Sequence, residues 1–501
     1  MSGGQRQGTG SAGPRRRRGS GLFWAVWMLA AGFLFFTGCG KEEPVVARFG
    51  KDRITLEEFR IAYLNLIKQP NTFDSPKLRE DFLDELIRRR ILAEEARRRG
   101  LDRDERLQLR LDAYRNKCLR EAHYERVIRP RVRITETQLR QTYRSLREKR
   151  RIRHLFARTR AAADSLYRLL RQGRSFEELA RDVFPDTLLA RHGGDLGWIT
   201  WDQLDYDLAV TAFSLPLNGI SEPVKSQFGY HILQVTGIKR NPLITETEFQ
   251  ARRGRVRDLL EYKIGDKLAG EYIERLMSGR KIRVNPRLLQ FVGRKLGAAL
   301  HRKPTPMDRL LNRGLSDPEV QTVQRTLWDI RNEVLATVDG QPVTVGQFVS
   351  GLRYVPYDAV YSSYKTALDF VLRDVALTRE ARRMGLGRLR SVREKVRLYE
   401  DYLLKVKLVR RLSRGVRVSD EEVRRFYEKR RADLFKNAPL DSVRGFIRQR
   451  LLEEKRLRIV PDLVAKLTEG MRIQKFPEVI HRYYDSLLAH GSGRKLTGTG
   501  F

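Results

Sequence analysis

Only seven histidines occur in the 501 residues, and two of them sit where a charged ring is poorly tolerated. His231 lies in "SQFGYHILQV" (226–235) and His154 in "RIRHLFA" (151–157). Both stretches read as strands. Period two puts His231 with Leu233 and Val235, and His154 with Ile152 and Phe156, on apolar faces. A buried imidazole needs hydrogen-bond partners. Two such rings on neighbouring strands can satisfy each other together with a hydroxyl or carboxylate. A single core histidine is ordinarily structural; a facing pair can line a pocket, and can hold its shape as readily as transfer a proton. The chain has no P-loop, HExxH, GxSxG or CxxC pattern, and its two cysteines lack metal spacing. The chemistry expected therefore uses no metal and no cofactor.

The elements around these residues form a unit over 151–240. "AAADSLYRLLRQG" is a helix closed by Gly173, "SFEELARD" starts on a capping box (Ser175, Glu178), and "HGGDLGWI" is a glycine turn into a strand. "LDYDLAVTAFSL" is helical, and His192 beside the turn reads as surface. Strands at both ends with helices between predict a small α/β domain with a mixed, mainly antiparallel sheet. The order HLF, SFEELA, GGDLGW, AFSL, PVKSQFGYHILQV resembles a parvulin-type peptidyl-prolyl isomerase. The flanking frame, from "VVARFGKDRITLEEF", resembles the secreted foldase chaperones of the SurA, PrsA and PpiD family. The resemblance implies a catalytic set of His154, Asp186 and His231, with Leu196, Leu204, Leu208 and Phe228 binding the substrate proline. At 204 and 208 the family usually carries methionine and phenylalanine; leucine at 208 removes an aromatic wall.

The frame is internally repeated. Ala47, Ile54, Thr55 and Phe59 match Ala336, Val343, Thr344 and Phe348; "EARRRGL" at 95 recurs as "EARRMGL" at 380; "VRITETQLRQTY" at 132 recurs as "VRVSDEEVRRFY" at 416. In each copy a strand–turn–strand opens into helices, the first with a capping box at Thr55 and Glu58. The expected fold is α+β multidomain: duplicated, mostly helical chaperone modules with one inserted parvulin domain. The boundaries expected are 1–38 signal peptide, 39–44 tether, 45–150 first module, 151–240 isomerase domain, and 241–290 closing helices of the first module. A linker at 291–333, a second module at 334–480 without an isomerase domain, and a tail at 481–501 complete the chain.

The charge is +38, from 100 Lys and Arg against 62 Asp and Glu. A nucleic-acid binder is one reading of that balance. The N-terminal pattern opposes it: Arg15–Arg18, then the uncharged stretch Leu22–Phe36, then "FTGC". At about 1.5 Å per residue that stretch is short for a membrane helix. It reads as a secretion signal. "FTGC" resembles a lipobox with Cys39 as lipid acceptor, and Gly40 in place of an acidic residue points to the outer rather than the inner membrane. Cys118 reads as a small buried hydrophobe. The function expected is a lipid-anchored isomerase and chaperone of the bacterial envelope, acting on unfolded or nascent exported polypeptides with X–Pro bonds. The alternatives are a non-catalytic chaperone that keeps the parvulin domain only to bind peptide, and an arginine-rich scaffold at an anionic membrane.

Overall fold

The computed structural model describes residues 43–69, 71–184, 188–226, 229–240, 245–300 and 314–489. The segment expected to be a signal peptide and Cys39 lie outside them. The architecture is α+β and mostly helical. Strands β1 (Val45–Phe49) and β2 (Asp52–Thr55) form a hairpin that runs into α1 (Leu56–Ile67), α2 (Pro76–Arg98), α3 (Glu105–His123) and α4 (Glu136–Ser145). The inserted unit comprises β3 (Glu148–Ala157), α5 (Arg160–Arg171), α6 (Phe176–Val183), α7 (Leu188–Arg191), β4 (Asp195–Ile199), α8 (Tyr206–Ser214), β5 (Val224–Ser226) and β6 (Gly229–Arg240). Next come α9 (Glu246–Met277), β7 (Ile282–Val284), α10 (Pro286–Ala299) and α11 (Asp317–Thr326). The second half repeats the plan: β8 (Val334–Val338), β9 (Gln341–Thr344), α12 (Val345–Gly351), α13 (Tyr357–Ser362), α14 (Tyr364–Arg383), α15 (Arg390–Arg414), α16 (Asp420–Arg430), α17 (Leu440–Thr468), β10 (Ile473–Lys475) and α18 (Pro477–Ala489).

The halves close each other. The β1–β2 hairpin is completed by β10, with Ala47 opposite Lys475, and β8–β9 by β7, with Ala336 opposite Val284. Helices follow the same exchange. Ile480 and Tyr484 of α18 are buried in the core of α1 and α2; Leu288, Leu289, Val292 and Leu296 of α10 are buried in that of α12 and α14. The linker expected at 291–333 thus begins inside a packed helix and also contains α11, where Val320 and Val323 are fully buried. The tail expected from 481 begins inside α18. The apolar stripe of each helix needs a partner, and the other half supplies it.

An approximate two-fold axis runs between the halves. Tyr114 in α3 stacks on Tyr399, its sequence counterpart in α15, with ring centroids 4.0 Å apart. Arg97 bonds to Asp401 at 2.7 Å, and its counterpart Arg382 bonds to Asn116 at 2.7 Å. Beside this axis Arg90 is 2% exposed, held by Glu58 of α1 and Asp401 of α15. Thr55 caps α1 by accepting the Glu58 N–H at 3.2 Å, as expected. The Glu58 carboxylate does not complete a capping box. A buried guanidinium needs an anion more than the helix start needs a second capping bond, and Glu58 goes to Arg90.

Two outcomes follow from this packing. Residues 43–300 and 314–489, co-expressed as separate chains, are expected to copurify one to one; two soluble, separately folded halves would refute the exchange. Asp401→Ala removes the carboxylate shared by Arg90 and Arg97 and breaks a buried ion pair; it is expected to cost about 3–5 kcal/mol in a urea titration, and a cost below about 1 kcal/mol would show that the cluster is dispensable.

Candidate active site

β3 and β6 are the central pair of a four-stranded sheet ordered β4-β3-β6-β5. All three pairings are antiparallel, where a mixed sheet was expected. Successive strands β3, β4, β5 and β6 alternate in direction, and the spatial order sets each beside strands of the opposite direction. The register sets the site. Phe156 faces His231 and His154 faces Leu233, which makes the histidines diagonal neighbours on one face. Their rings are nearly parallel, 17° apart, and Nδ1 meets Nδ1 at 3.3 Å. One nitrogen of that contact carries a hydrogen and the other accepts it, so the two rings hold complementary tautomers. His231 Nε2 lies 2.9 Å from Ser226 Oγ. His154 Nε2 is buried and has no hydrogen-bond partner among the described residues. Burial pushes His154 down to about 4, and the neighbouring His231 adds to the effect. Burial also lowers His231, against the opposing charge of Asp205. Both imidazoles are neutral at pH 7.

Two glycine positions make this possible. Gly194, in the left-handed region at φ +76°, lies against β3, and a Cβ there would strike the His154 carbonyl oxygen. That contact is part of the pairing, because His154 N–H donates to Gly194 O at 2.9 Å. Gly229, at φ +148°, lies equally close to the Ala157 carbonyl oxygen. Side chains at either place would force the strands apart and separate the rings.

The aromatic surround is Phe184, stacked on His154 at 5.1 Å, and Phe156, tilted on His231 at 5.2 Å. Below the same sheet face lies one apolar cluster. It contains Ile152, Leu233 and Leu208, with Leu196 and Leu204 packed against it half-buried. The three leucines expected to bind proline are therefore brought together. Leu208 itself is 7% exposed. Asp186 and Phe228 lie outside the described residues. His192 is exposed, and Cys118 is buried as a free thiol in the helical frame. Among the described residues no group of three or more His, Cys, Asp or Glu is placed to hold a metal.

Sequence reasoning missed Ser226. It lies on the edge strand β5, in the quoted stretch itself, and a short hairpin folds it back onto His231. It also missed that the domain shares its core with the frame: Leu139 and Tyr143 of α4 and Val256, Leu260 and Ile264 of α9 lie in the same cluster as Leu208. The apolar faces of both helices were visible; which unit would cover them was not.

Residues 149–237 match the family model Rotamase, described as a PPIC-type PPIASE domain. The chain is 35% identical over 133 residues to "Foldase protein PrsA 1" of Bacillus cereus, covering 26% of this chain and 44% of that protein. It is 27% identical over 168 residues to "Foldase protein PrsA" of Bacillus subtilis, covering 33% and 55%. It therefore spans about half the length of these curated relatives. A "Probable parvulin-type peptidyl-prolyl cis-trans isomerase" of Bordetella bronchiseptica is 25% identical over 236 residues, which is 46% of this chain and 87% of that one. Among solved structures, a PpiC-type peptidyl-prolyl cis-trans isomerase domain covers 19% of this chain and 95% of its own at 32% identity, with a TM-score of 0.18.

The depressed histidines make a pH prediction. A folded-state value below the unfolded one means that the unfolded chain takes up the proton first. Stability is then complete above about pH 6.5 and falls as pH drops through the window toward about 4. NMR titration of His154 is expected to show a midpoint near 4; a midpoint at or above 6.5 would mean that the ring is solvated or paired with an anion.

Proposed function

We propose, from the membership of residues 149–237 in the PPIC-type rotamase family, that the chain is a peptidyl-prolyl cis-trans isomerase and chaperone for exported proteins. The observation that carries the reading is the neutral pair His154–His231, Nδ1 to Nδ1 at 3.3 Å, on the sheet face above Leu196, Leu204 and Leu208. Rotation about a peptide bond is opposed by about 18–20 kcal/mol, because C–N has partial double-bond character. An X–Pro bond takes tens to hundreds of seconds to isomerise unaided. No nucleophile is needed to lower that barrier. The leucines and Phe228 grip the proline ring and strip water from its amide. Water stabilises the planar, dipolar amide more than the twisted one, so its removal favours the twisted state. The neutral imidazoles keep the wall uncharged and well positioned. Asp186 acts on the electrostatics around the twisted carbonyl; Asp186→Ala is expected to slow isomerisation, and an unchanged rate removes Asp186 from the site.

The matched halves are read as two copies of a chaperone module that cradle unfolded clients, and the +38 charge suits acidic stretches of such clients. Cys39 is the proposed lipid acceptor, which would hold the protein in the bacterial envelope, at the outer membrane. Among the described residues no helix is long and apolar enough to cross a membrane. Leu208 favours a second reading: with an aliphatic residue where the resembling family has phenylalanine, the domain could bind peptide without catalysing rotation.

The deciding experiment is exchange NMR on a short X–Pro peptide with the full chain and with His231→Ala. Acceleration by the wild type that drops about tenfold or more in a folded variant is the expected result, since the variant loses the paired ring and its hydrogen bonds. A folded wild type that binds the peptide and leaves its exchange rate unchanged would overturn catalysis and leave the second reading.

A further inference from the structure

Helix α9 lies outside the segment matched as a rotamase domain, yet it holds both walls of the site. On one wall, Lys263 donates its Nζ–H to the backbone carbonyl of Leu204. Four residues along the same helix face, Lys267 Nζ pairs with Asp207 at 2.7 Å and sits over the Tyr206 ring. These bonds pin the turn 204–208, which carries two of the three pocket leucines. On the other wall, Glu274 pairs with Lys225 at 2.8 Å, next to Ser226 and hence to the hydroxyl that meets His231.

Asp205 occupies the N-cap position of α8 but makes no capping hydrogen bond. An aspartate there ordinarily accepts from the first turn. Its charge instead bears on Lys263 and on His231. Lys263 is half-buried, with Asp202 and Asp266 as its further acidic neighbours. The groups facing His231 are His154, Ser226, Phe156 and, electrostatically, Asp205.

We propose that Lys263 is a positioning residue for the prolyl site: from the frame helix it fixes the Leu204–Leu208 turn, and it offsets the Asp205 charge that bears on His231. The isomerase pocket is thereby completed by a helix that belongs to the chaperone frame. Through the same helix the pocket is tied to the second half, since Arg280, just past the helix, pairs with Asp339 at 2.8 Å.

This inference rests on the functional reading above, and its test separates the two. The full chain is compared with Lys263→Met, which keeps the apolar stem, and Lys263→Arg, which keeps a charged donor. KM and kcat for an X–Pro peptide are measured, together with the His231 midpoint by NMR. In Lys263→Met, KM is expected to rise about tenfold, the worth of one charge-assisted hydrogen bond, with kcat within twofold. The His231 midpoint is expected to move up, because Asp205 loses its counter-charge. Lys263→Arg restores both. Asp205→Asn serves as the second variant: it removes the charge but leaves the Leu204 bond, so the midpoint falls while KM stays near the wild type. A folded Lys263→Met with unchanged KM and unchanged midpoint overturns the proposal. Should the wild type bind the peptide without isomerising it, peptide Kd replaces KM; the catalytic reading then fails while the clamp is still judged by Kd and midpoint.

Discussion

A guanidinium buried to 2% exposure must be neutralised where it sits, and Arg90 draws its anions from both halves. Its anions are Glu58 from the first hairpin's helix and Asp401 from α15, with Asp52 of β2 at 3.4 Å. Asp401 also takes Arg97, and Asp52 takes Arg397. Separating the halves would expose or orphan every member of this set. Such a cluster adds little net stability over an apolar core, but breaking it is costly. It therefore fixes which surfaces meet. Around it the strands and helices exchange, and the Tyr114–Tyr399 stack marks the axis on which they do so.

That constraint governs the site as well. α9 starts against the inserted domain, burying Phe249, Val256, Leu260 and Ile264 in the domain's own cluster, and ends by delivering β7 to the second half's sheet. The inserted domain is consequently held as part of the frame. Its histidine pair depends on strand register, the register on two close backbone approaches at Gly194 and Gly229, and the pocket turn on lysines of α9. Each level is fixed by one with longer sequence reach.

The parts legible in the sequence were those fixed by local rules. Period two placed His154 and His231 on one kind of face, capping residues placed helix starts, and the double glycine placed the turn. What the sequence concealed was long-range. "IRV" and "IQK" are three-residue strands, too short to carry a period, and their partners lie far along the chain. The "RKPTP" stretch suggested a linker, while Leu288, Val292 and Leu296, four apart on α10, were a readable apolar stripe beside it. In "LIRRRIL" three arginines look alike. Side-chain exposure is 46% at Arg88, 20% at Arg89 and 2% at Arg90, because only Arg90 continues the stripe of Leu83, Leu86 and Ile87.

The second half shows how the frame stays folded without an inserted domain. In the first, Tyr143 packs on Phe249 and the pair is covered by the domain's cluster. In the second, the short connection after α16 supplies its own cover. Phe435 folds back, 8% exposed, to stack on Tyr427 and to meet Phe446 edge-on. Tyr427 OH donates to the Ala438 carbonyl at 2.6 Å and pins the return. Lys436 and Asn437 take left-handed backbone to make that reversal, a conformation that costs an L-residue roughly 1–2 kcal/mol. Burying one phenylalanine, worth about 1.5–3 kcal/mol, offsets the cost at one of those residues, and the tyrosine bond contributes further. Ile447 and Leu451 then hold the inward positions that Val256 and Leu260 hold on α9. A ring on a tight turn thus replaces, for packing, what some ninety residues of domain do in the other half, and it leaves Phe446 and Leu457 on the outer face of α17 at 58% and 76% exposure.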